Sequence, residues 1–167
     1  TFFDTAPYYG NGRAGLRLGE ALKGVPRDSY QLSSKVGRIV TEADETRENS
    51  WQPPFDYSYD GVMRSFETSQ KRLGTDRLDI LMLHDIGSVT HGERHAELFA
   101  TAMDGGYRAM SELKASGAVT AIGIGVNEWQ VLEEAMGVND FDVFLLAGRY
   151  TLLEQEALES FLPMCAE

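Results

Sequence analysis

The stretch LDILMLHDIG, residues 78–87, decides the fold class. Its centre is apolar without alternation, which is typical of a strand buried on both faces in a parallel sheet, and it ends in polar residues and glycine. Helix-like stretches separate five runs of this kind, which are Thr1–Asp4, Tyr30–Lys35, Leu78–His84, Val119–Val126 and Phe141–Leu146. Strict alternation of strand and helix implies right-handed crossovers and therefore predicts a parallel α/β sheet.

The stretches between these strands have helical patterns. Apolar residues recur in them at helical spacing, and glycines close most of them. The predicted helices are Gly15–Lys23, Gly61–Leu73, a segment from about Tyr107 to Gly117, Trp129–Met136 and Glu154–Leu162.

Two long segments leave the second and third strands without a clear helical pattern. Arg38–Asp60 is rich in aromatic residues, and two interpretations stay open: a lid over the substrate, or packing over the rim of the sheet. Ser88–Asp104 carries His91 and His95, whose four-residue spacing is that of metal ligands on a helix. No third ligand is evident in the sequence, so we expect a solvated loop and no metal site.

Composition restricts the function. The 167 residues carry 15 basic and 26 acidic side chains, a formal net charge of -11, and 43% of them are hydrophobic. Such a chain can bury a core, and its charge argues against nucleic acid or an anionic membrane surface as the partner. No apolar run approaches the ~18 residues of a membrane span. The single cysteine, Cys165, permits no internal disulfide and suits a reducing, cytoplasmic location.

Two architectures fit the alternating pattern, a doubly wound sheet and a (β/α)8 barrel. A doubly wound nucleotide-binding sheet has GxGxxG after its first strand, whereas residues 5–10 read TAPYYG. Polar residues at the ends of several strands favour the barrel, whose active sites lie there. We therefore expect a partial (β/α)8 TIM barrel of about five strand–helix units. A whole barrel needs ~250 residues, so we expect residues 1–167 to form one incomplete barrel domain, truncated at both ends and unstable alone.

Four polar side chains lie at the ends of the first three predicted strands: Asp4, Tyr9, Lys35 and His84. Taken singly, each has an ordinary explanation as a cap, a packed ring, a solvated amine or a core histidine. Together they supply the parts of a proton-transfer site. A free phenol loses its proton near pH ~10, and a nearby ammonium favours the phenolate. A carboxylate keeps the ammonium charged, and an imidazole orients a substrate oxygen. No GxSxG motif or other activated nucleophile is present.

Several motifs resemble those of the aldo-keto reductases in order and spacing. They are FDTAPYYG (3–10) with GEAL (19–22), SKVG (34–37), RLGTDRLD (72–79) leading to LH (83–84), and GIGVN (123–127). The resemblance covers the whole chain, from the family's second barrel strand to the helix after its sixth. It implies that Tyr9 is the general acid/base, that Lys35 and Asp4 tune it, and that His84 orients the substrate. It also implies NAD or NADP as cofactor, with Asn127 on the nicotinamide carboxamide and Asp4 near the nicotinamide ribose.

Longer strings resemble the sugar dehydrogenase branch of that family: FDYSYDGV (55–62), LHDIG (83–87) and LLAGRYTLLEQ (145–155). The branch implies oxidation of an aldose of the L-fucose or D-threo type at C1 to the lactone, with Tyr9 taking the anomeric hydroxyl proton. Two positions depart from the family, since Val126 replaces a frequent serine and Ala147 a frequent glutamine that contacts the nicotinamide. For Asp85, which follows His84, we expect a structural role.

Two other classes of function stay open. A non-catalytic, cofactor-binding or regulatory subunit of the same fold need not keep Tyr9 and Lys35 together, and turnover distinguishes it from an enzyme. A barrel lyase or hydrolase with Asp4 and His84 as metal ligands needs further carboxylates or histidines, and a chelator would abolish its activity. The expected partner is a small sugar or other carbonyl compound.

Overall fold

The computed structural model describes residues 1–48 and 51–166. Five parallel strands form one sheet in the order of the sequence: β1 (Phe2–Asp4), β2 (Gln31–Val36), β3 (Ile80–His84), β4 (Ala121–Val126) and β5 (Val143–Leu146). A doubly wound sheet reverses its strand order, whereas a barrel adds each strand to the same side of the last. The unbroken order and the curled half-barrel shape confirm the partial (β/α)8 barrel.

Helices follow the strands. They are α1 (Arg13–Ala21), α2 (Tyr59–Leu73), α3 (Ser88–His91), α4 (His95–Thr101), α5 (Tyr107–Ala115), α6 (Gln130–Met136) and α7 (Phe161–Met164). Short 3₁₀ turns lie at Arg27–Ser29, Glu42–Thr46, Gly92–Arg94 and Glu156–Leu158, and a π-helical turn at Ala102–Gly106. In the described part of the chain, no helix has the length and apolarity needed to cross a membrane.

The two faces of β2 point in different directions, one toward the helix layer and the other toward the interior of the barrel. The Ser34 hydroxyl donates to the Ser69 hydroxyl of α2 at 3.3 Å, so Ser34 faces the helix layer. Because side chains alternate along a strand, Leu32 lies on that same face, whereas Lys35 lies on the opposite one, inside the barrel. Buried residues of strands and helices form one apolar core, which includes Leu32, Val36, Val62, Phe66, Leu81, Leu83, Met110, Ile124 and Leu132.

The prediction of a loop over Ser88–Asp104 is wrong. The segment forms α3, a 3₁₀ turn, α4 and a π-helical turn that leads into α5. The side chains of Leu98, Phe99, Ala102 and Met103 are buried, and their spacing is that of one helical face. Packing of that face on the core therefore makes the segment helical.

The predicted helix Glu154–Leu162 is also wrong, since only a 3₁₀ turn and the short α7 form there. Glu154 belongs to the preceding turn: its N–H donates to Thr151 Oγ1 at 3.1 Å, and its backbone oxygen accepts from the Thr151 N–H at 2.8 Å. Its carboxylate pairs with Arg149 at 2.9 Å. These contacts hold Glu154 outside a helix, so helical structure begins only after it.

Candidate active site

The carboxyl ends of the strands surround a cavity of about 470 Å³. Its lining includes Tyr9, Lys35, His84 and Asn127, which come from four different strand–loop units. Asp4 lies behind this wall and reaches the site through Lys35. The structure thus brings together all five residues that the sequence singled out, at the end of the sheet where barrel active sites lie.

Lys35 is the buried cation of the site, with 1% of its surface exposed. Its ammonium donates to Asp4 Oδ2 at 2.6 Å and to the backbone oxygen of Thr5 at 3.1 Å. The Ser33 hydroxyl donates to the other Asp4 oxygen at 2.5 Å. A buried charge is tolerated when it is paired and hydrogen-bonded, and both conditions hold here. The pair is therefore a fixed ionic unit.

Tyr9 lies above this pair, in the turn between β1 and α1. Its N–H donates to the Ala6 oxygen at 3.1 Å, and its own backbone oxygen accepts from Ala14 at 3.2 Å, so the turn holds it at both ends. The Lys35 ammonium lies 4.8 Å from the centre of the Tyr9 ring. The His84 ring meets the Tyr9 ring edge-on at 5.9 Å. Tyr9 is 40% exposed, so a ligand in the cavity can reach it.

His84 ends β3 and is buried, with 5% of its surface exposed. Burial lowers its pKa to about 4, and the nearby Lys35 and Arg38 cations act in the same direction against the opposing Asp85 and Asp4 carboxylates. The imidazole is therefore neutral near pH 7. Its Nδ1 is buried and has no hydrogen-bond partner within residues 1–48 and 51–166.

Asn127 follows β4 and lies at the rim of the cavity. Its side-chain amide donates to the backbone oxygen of Ala147 at 3.0 Å, and its own backbone oxygen accepts from Arg149 Nε at 2.9 Å. Val126 and Ala147, the two departures from the family pattern, line the same part of the cavity. The wall beside Asn127 is therefore apolar where the family often has polar side chains.

Sequence reasoning missed a polar network behind His84. The Tyr57 hydroxyl is buried between the backbone oxygens of His84 and Asp85, at 2.7 and 3.1 Å. Burial raises the Tyr57 pKa far above its ordinary value, so the phenol stays a donor. The Asp85 carboxylate, expected only to have a structural role, lies in the cavity wall and pairs with Arg38 at 2.7 Å. The direction of these side chains depends on distant segments and leaves no signal in local sequence.

The segment Arg38–Asp60 packs against this network, and its residues 49 and 50 lie outside the described part of the chain. Phe55 and Tyr57 lie under the site, with ring centres 5.7 Å apart, and Arg38 pairs with Phe55 in an isolated β-bridge. Of the two interpretations, packing therefore describes these aromatic residues. One contact reaches the cavity wall, where the Gln52 amide donates to the Tyr8 hydroxyl at 2.5 Å.

The two histidines of the 88–104 segment do not lie in a solvated loop. His91 meets the Phe55 ring edge-on at 4.5 Å and forms a 3.0 Å hydrogen bond with the Tyr57 hydroxyl. His95 lies between the Ile86 oxygen and the Glu134 carboxylate, each at 3.2 Å. Across the described residues, no three or more His, Cys, Asp and Glu side chains are grouped so as to hold a metal ion.

The fold and site agree with a comparison with known proteins. Residues 1–167 match the sequence model of the Aldo/keto reductase family, and the chain belongs to that family. It is similar to a pyridoxal 4-dehydrogenase from Microbacterium luteolum, with 44% identity over 98% of this chain and 53% of the relative. It is also similar to a D-threo-aldose 1-dehydrogenase from a Pseudomonas species, with 39% identity over 99% of this chain and 52% of the relative.

Solved structures show the same fold. An aldo-keto reductase from Bacillus halodurans, in its holo form, superposes with a TM-score of 0.76 at 25% identity, over 99% of this chain and 49% of that protein. The chain thus spans about half the length of the relatives that it matches.

Proposed function

We propose that the full-length protein is an NAD(P)-dependent oxidoreductase that oxidises a small hydroxyaldehyde, in its cyclic hemiacetal form, to a lactone. The observation that carries this proposal is the buried Lys35–Asp4 pair beneath Tyr9, next to a neutral His84, in one cavity. Family membership and the two relatives named as dehydrogenases support the same class of reaction.

The cavity fits the nicotinamide end of such a cofactor. Its volume of about 470 Å³ lies within the range of small-molecule sites. Asn127 at the rim is the side chain that would hold the carboxamide, and Asp4 would lie near the nicotinamide ribose, as the family resemblance implies. When bound, NAD(P)+ supplies the hydride acceptor of the reaction.

The residues of this chain would carry the proton. Tyr9, as the phenolate, takes the proton of the hemiacetal hydroxyl. At the same time, the hydrogen on the hemiacetal carbon leaves with its electron pair as hydride. The Lys35 ammonium lies 4.8 Å from the ring centre, and Asp4 holds the ammonium in place. His84 is neutral near pH 7 and can donate a hydrogen bond to the substrate oxygen without carrying a charge.

The substrate class rests on chemistry that the two named relatives share. Pyridoxal and aldoses are both aldehydes with a hydroxyl group placed to close a ring, and oxidation of the resulting hemiacetal carbon gives a lactone. An aldose of the L-fucose or D-threo type is the first candidate for this chain, and pyridoxal is the second because of the 44% identity. Both are small, which suits a cavity of about 470 Å³.

Turnover tests the proposal. Reduced nicotinamide is followed by its near-ultraviolet absorbance in the full-length protein, with NAD+ or NADP+ and L-fucose, D-arabinose, L-galactose or pyridoxal, at mildly alkaline pH. Tyr9→Phe is expected to lower kcat by about 10²-fold or more. Tyr30→Phe is the matched control, because Tyr30 lies before β2, at the far end from the cavity. Cofactor binding without turnover in either direction would favour the non-catalytic subunit instead.

A further inference from the structure

The backbone of Asp85 is left-handed, with φ of 54°, a conformation that few residues other than glycine adopt. Neighbouring segments hold it there. The Asp85 N–H donates to the Gly125 oxygen at 2.9 Å, and the Asp85 oxygen accepts from the Tyr57 hydroxyl at 3.1 Å. Residues held in such conformations by their surroundings cluster at functional sites. The consequence here is that the Asp85 side chain turns back toward the cavity wall.

The Asp85 carboxylate is fixed at one oxygen. Asp85 Oδ2 accepts from Arg38 Nη2 at 2.7 Å, and the same oxygen lies 3.5 Å from His84 Nε2. The Arg38 guanidinium lies between two rings, 4.3 Å from the centre of Tyr8 and 4.4 Å from the centre of Phe55. With 7% of its side chain exposed, Arg38 has little freedom to move. The carboxylate therefore has a defined position beside the imidazole.

A neutral imidazole carries one proton, and its surroundings decide which nitrogen holds it. A carboxylate oxygen of Asp85 lies 3.5 Å from His84 Nε2, too far for a good hydrogen bond but near enough for its charge to favour N–H there. His84 Nδ1 is buried with no hydrogen-bond partner among the described residues, so a proton on it would be a buried, unsatisfied donor. Both observations select the same tautomer. Four charges act on this ring: Asp85 and Asp4 favour its protonation, and Lys35 and Arg38 oppose it.

We propose that Asp85 is a positioning residue that fixes the Nε2–H tautomer of His84, so that Nε2 is the hydrogen-bond donor to the substrate oxygen. Arg38 holds the Asp85 carboxylate at the required place. This inference rests on the proposed function for its role in turnover, but the tautomer itself is a property of the protein without substrate.

Two substitutions distinguish the effect of the Asp85 carboxylate from the effect of its left-handed backbone. Asp85→Gly keeps the left-handed backbone without strain and removes the carboxylate. Asp85→Asn keeps the shape, tolerates the same backbone and removes the charge. Both are expected to lower kcat/KM by about 10- to 100-fold. Asp28→Asn is the matched control, since the Asp28 side chain is 90% exposed and pairs only with Arg77 among the described residues.

The deciding measurement is nitrogen NMR of the full-length protein with labelled histidine, with His84 assigned by comparison with His84→Gln. The expected result is a single Nε2–H tautomer in the wild type and in Asp28→Asn, and a detectable Nδ1–H population in both Asp85 variants. A purely structural role for Asp85 predicts that Asp85→Gly keeps both the tautomer and the activity, and that result would overturn the proposal. If Asp85→Gly does not fold, Asp85→Asn decides by the same criterion. If the wild type turns over no substrate, the proposed function fails while the NMR result still decides the tautomer.

Discussion

Replacing Gly125 by alanine should impair the site without unfolding the protein. Gly125 lies in β4 and is paired with His84 of β3. A Cβ at Gly125 would lie 3.1 Å from Lys35 Cε and 3.5 Å from Lys35 Cδ. The absence of a side chain at this position thus provides the space through which Lys35 reaches Asp4.

The size of the effect follows from these distances. Non-bonded carbon atoms prefer separations of ~3.5–4.0 Å, so Lys35 Cε must move by about 0.4 Å. Its ammonium cannot follow freely, because Asp4 holds it at 2.6 Å and the Thr5 oxygen at 3.1 Å. A misplacement of ~1 Å costs roughly 10² in rate, so about 0.4 Å should cost about 5- to 10-fold. That loss corresponds to about 1 kcal/mol of transition-state stabilisation.

The assay compares kcat for the wild type, Gly125→Ala and Gly137→Ala in the full-length protein, with thermal unfolding measured in parallel. Gly137 is the matched control, because an added Cβ there meets only ordinary contacts, the nearest at 3.4 Å to the Glu134 oxygen. Stability of Gly125→Ala should change by less than about 1 kcal/mol, since alanine loses less backbone entropy than glycine and offsets part of the crowding. A folded Gly125→Ala protein with the kcat of the wild type would refute the reasoning.

Two further predictions concern stability. The folded-state pKa of His84 is lowered to about 4, below the ~6.5 of an unfolded histidine. Unfolding therefore takes up a proton when the pH is below ~6.5. The folded protein is destabilised progressively as the pH falls from ~6.5 to about 4. The loss in free energy of unfolding should reach about 3 kcal/mol near pH 4. Urea unfolding at several pH values should show a shallower pH dependence of that free energy for His84→Gln than for the wild type. Equal pH dependences would contradict the lowered pKa of His84. Gly37→Ala should destabilise by more than about 3 kcal/mol, because φ is 102° and an added Cβ would overlap the Tyr57 ring. Gly74→Ala separates the backbone strain from the steric overlap, since φ is 63° but no atom lies within 4 Å of an added Cβ. This variant should lose only about 1 kcal/mol of stability. Equal losses for the two variants would show that overlap with Tyr57 contributes nothing.

The strands and the principal polar residues could be predicted from sequence because their signals are local. An apolar run without alternation, such as Ile80–Leu83, predicts a strand buried on both faces, and a polar residue directly after it is expected at the edge of the sheet. For the same reason Asp4, Lys35 and His84 could be placed at one end of the sheet before their partners were known. Strand ends were predicted within about two residues, which is the usual uncertainty of such boundaries.

What sequence could not show depends on distant contacts. The start of α3 is one case: Glu128 accepts from the Val89 N–H and the Ser88 hydroxyl, both at 3.0 Å, and stabilises a helix 40 residues earlier in the chain. The apolar pair Leu98 and Phe99 on α4, by contrast, is a local signal of a helix packed on the core. The direction of the Asp85 side chain left no such signal, because a strand pattern does not reveal a left-handed backbone.

The same wall of the cavity holds one cation and one neutral donor, and the difference lies in how each carboxylate is engaged. Asp4 accepts directly from Lys35 at 2.6 Å, so the ammonium is paired. Asp85 is 3.5 Å from His84 but only 2.7 Å from Arg38, so the guanidinium offsets part of its charge. Burial of the imidazole outweighs the Asp85 charge, and the pKa of His84 is therefore lowered to about 4. Tyr9 thus lies beside a paired cation and an uncharged imidazole, an arrangement that suits the proton transfer proposed for it.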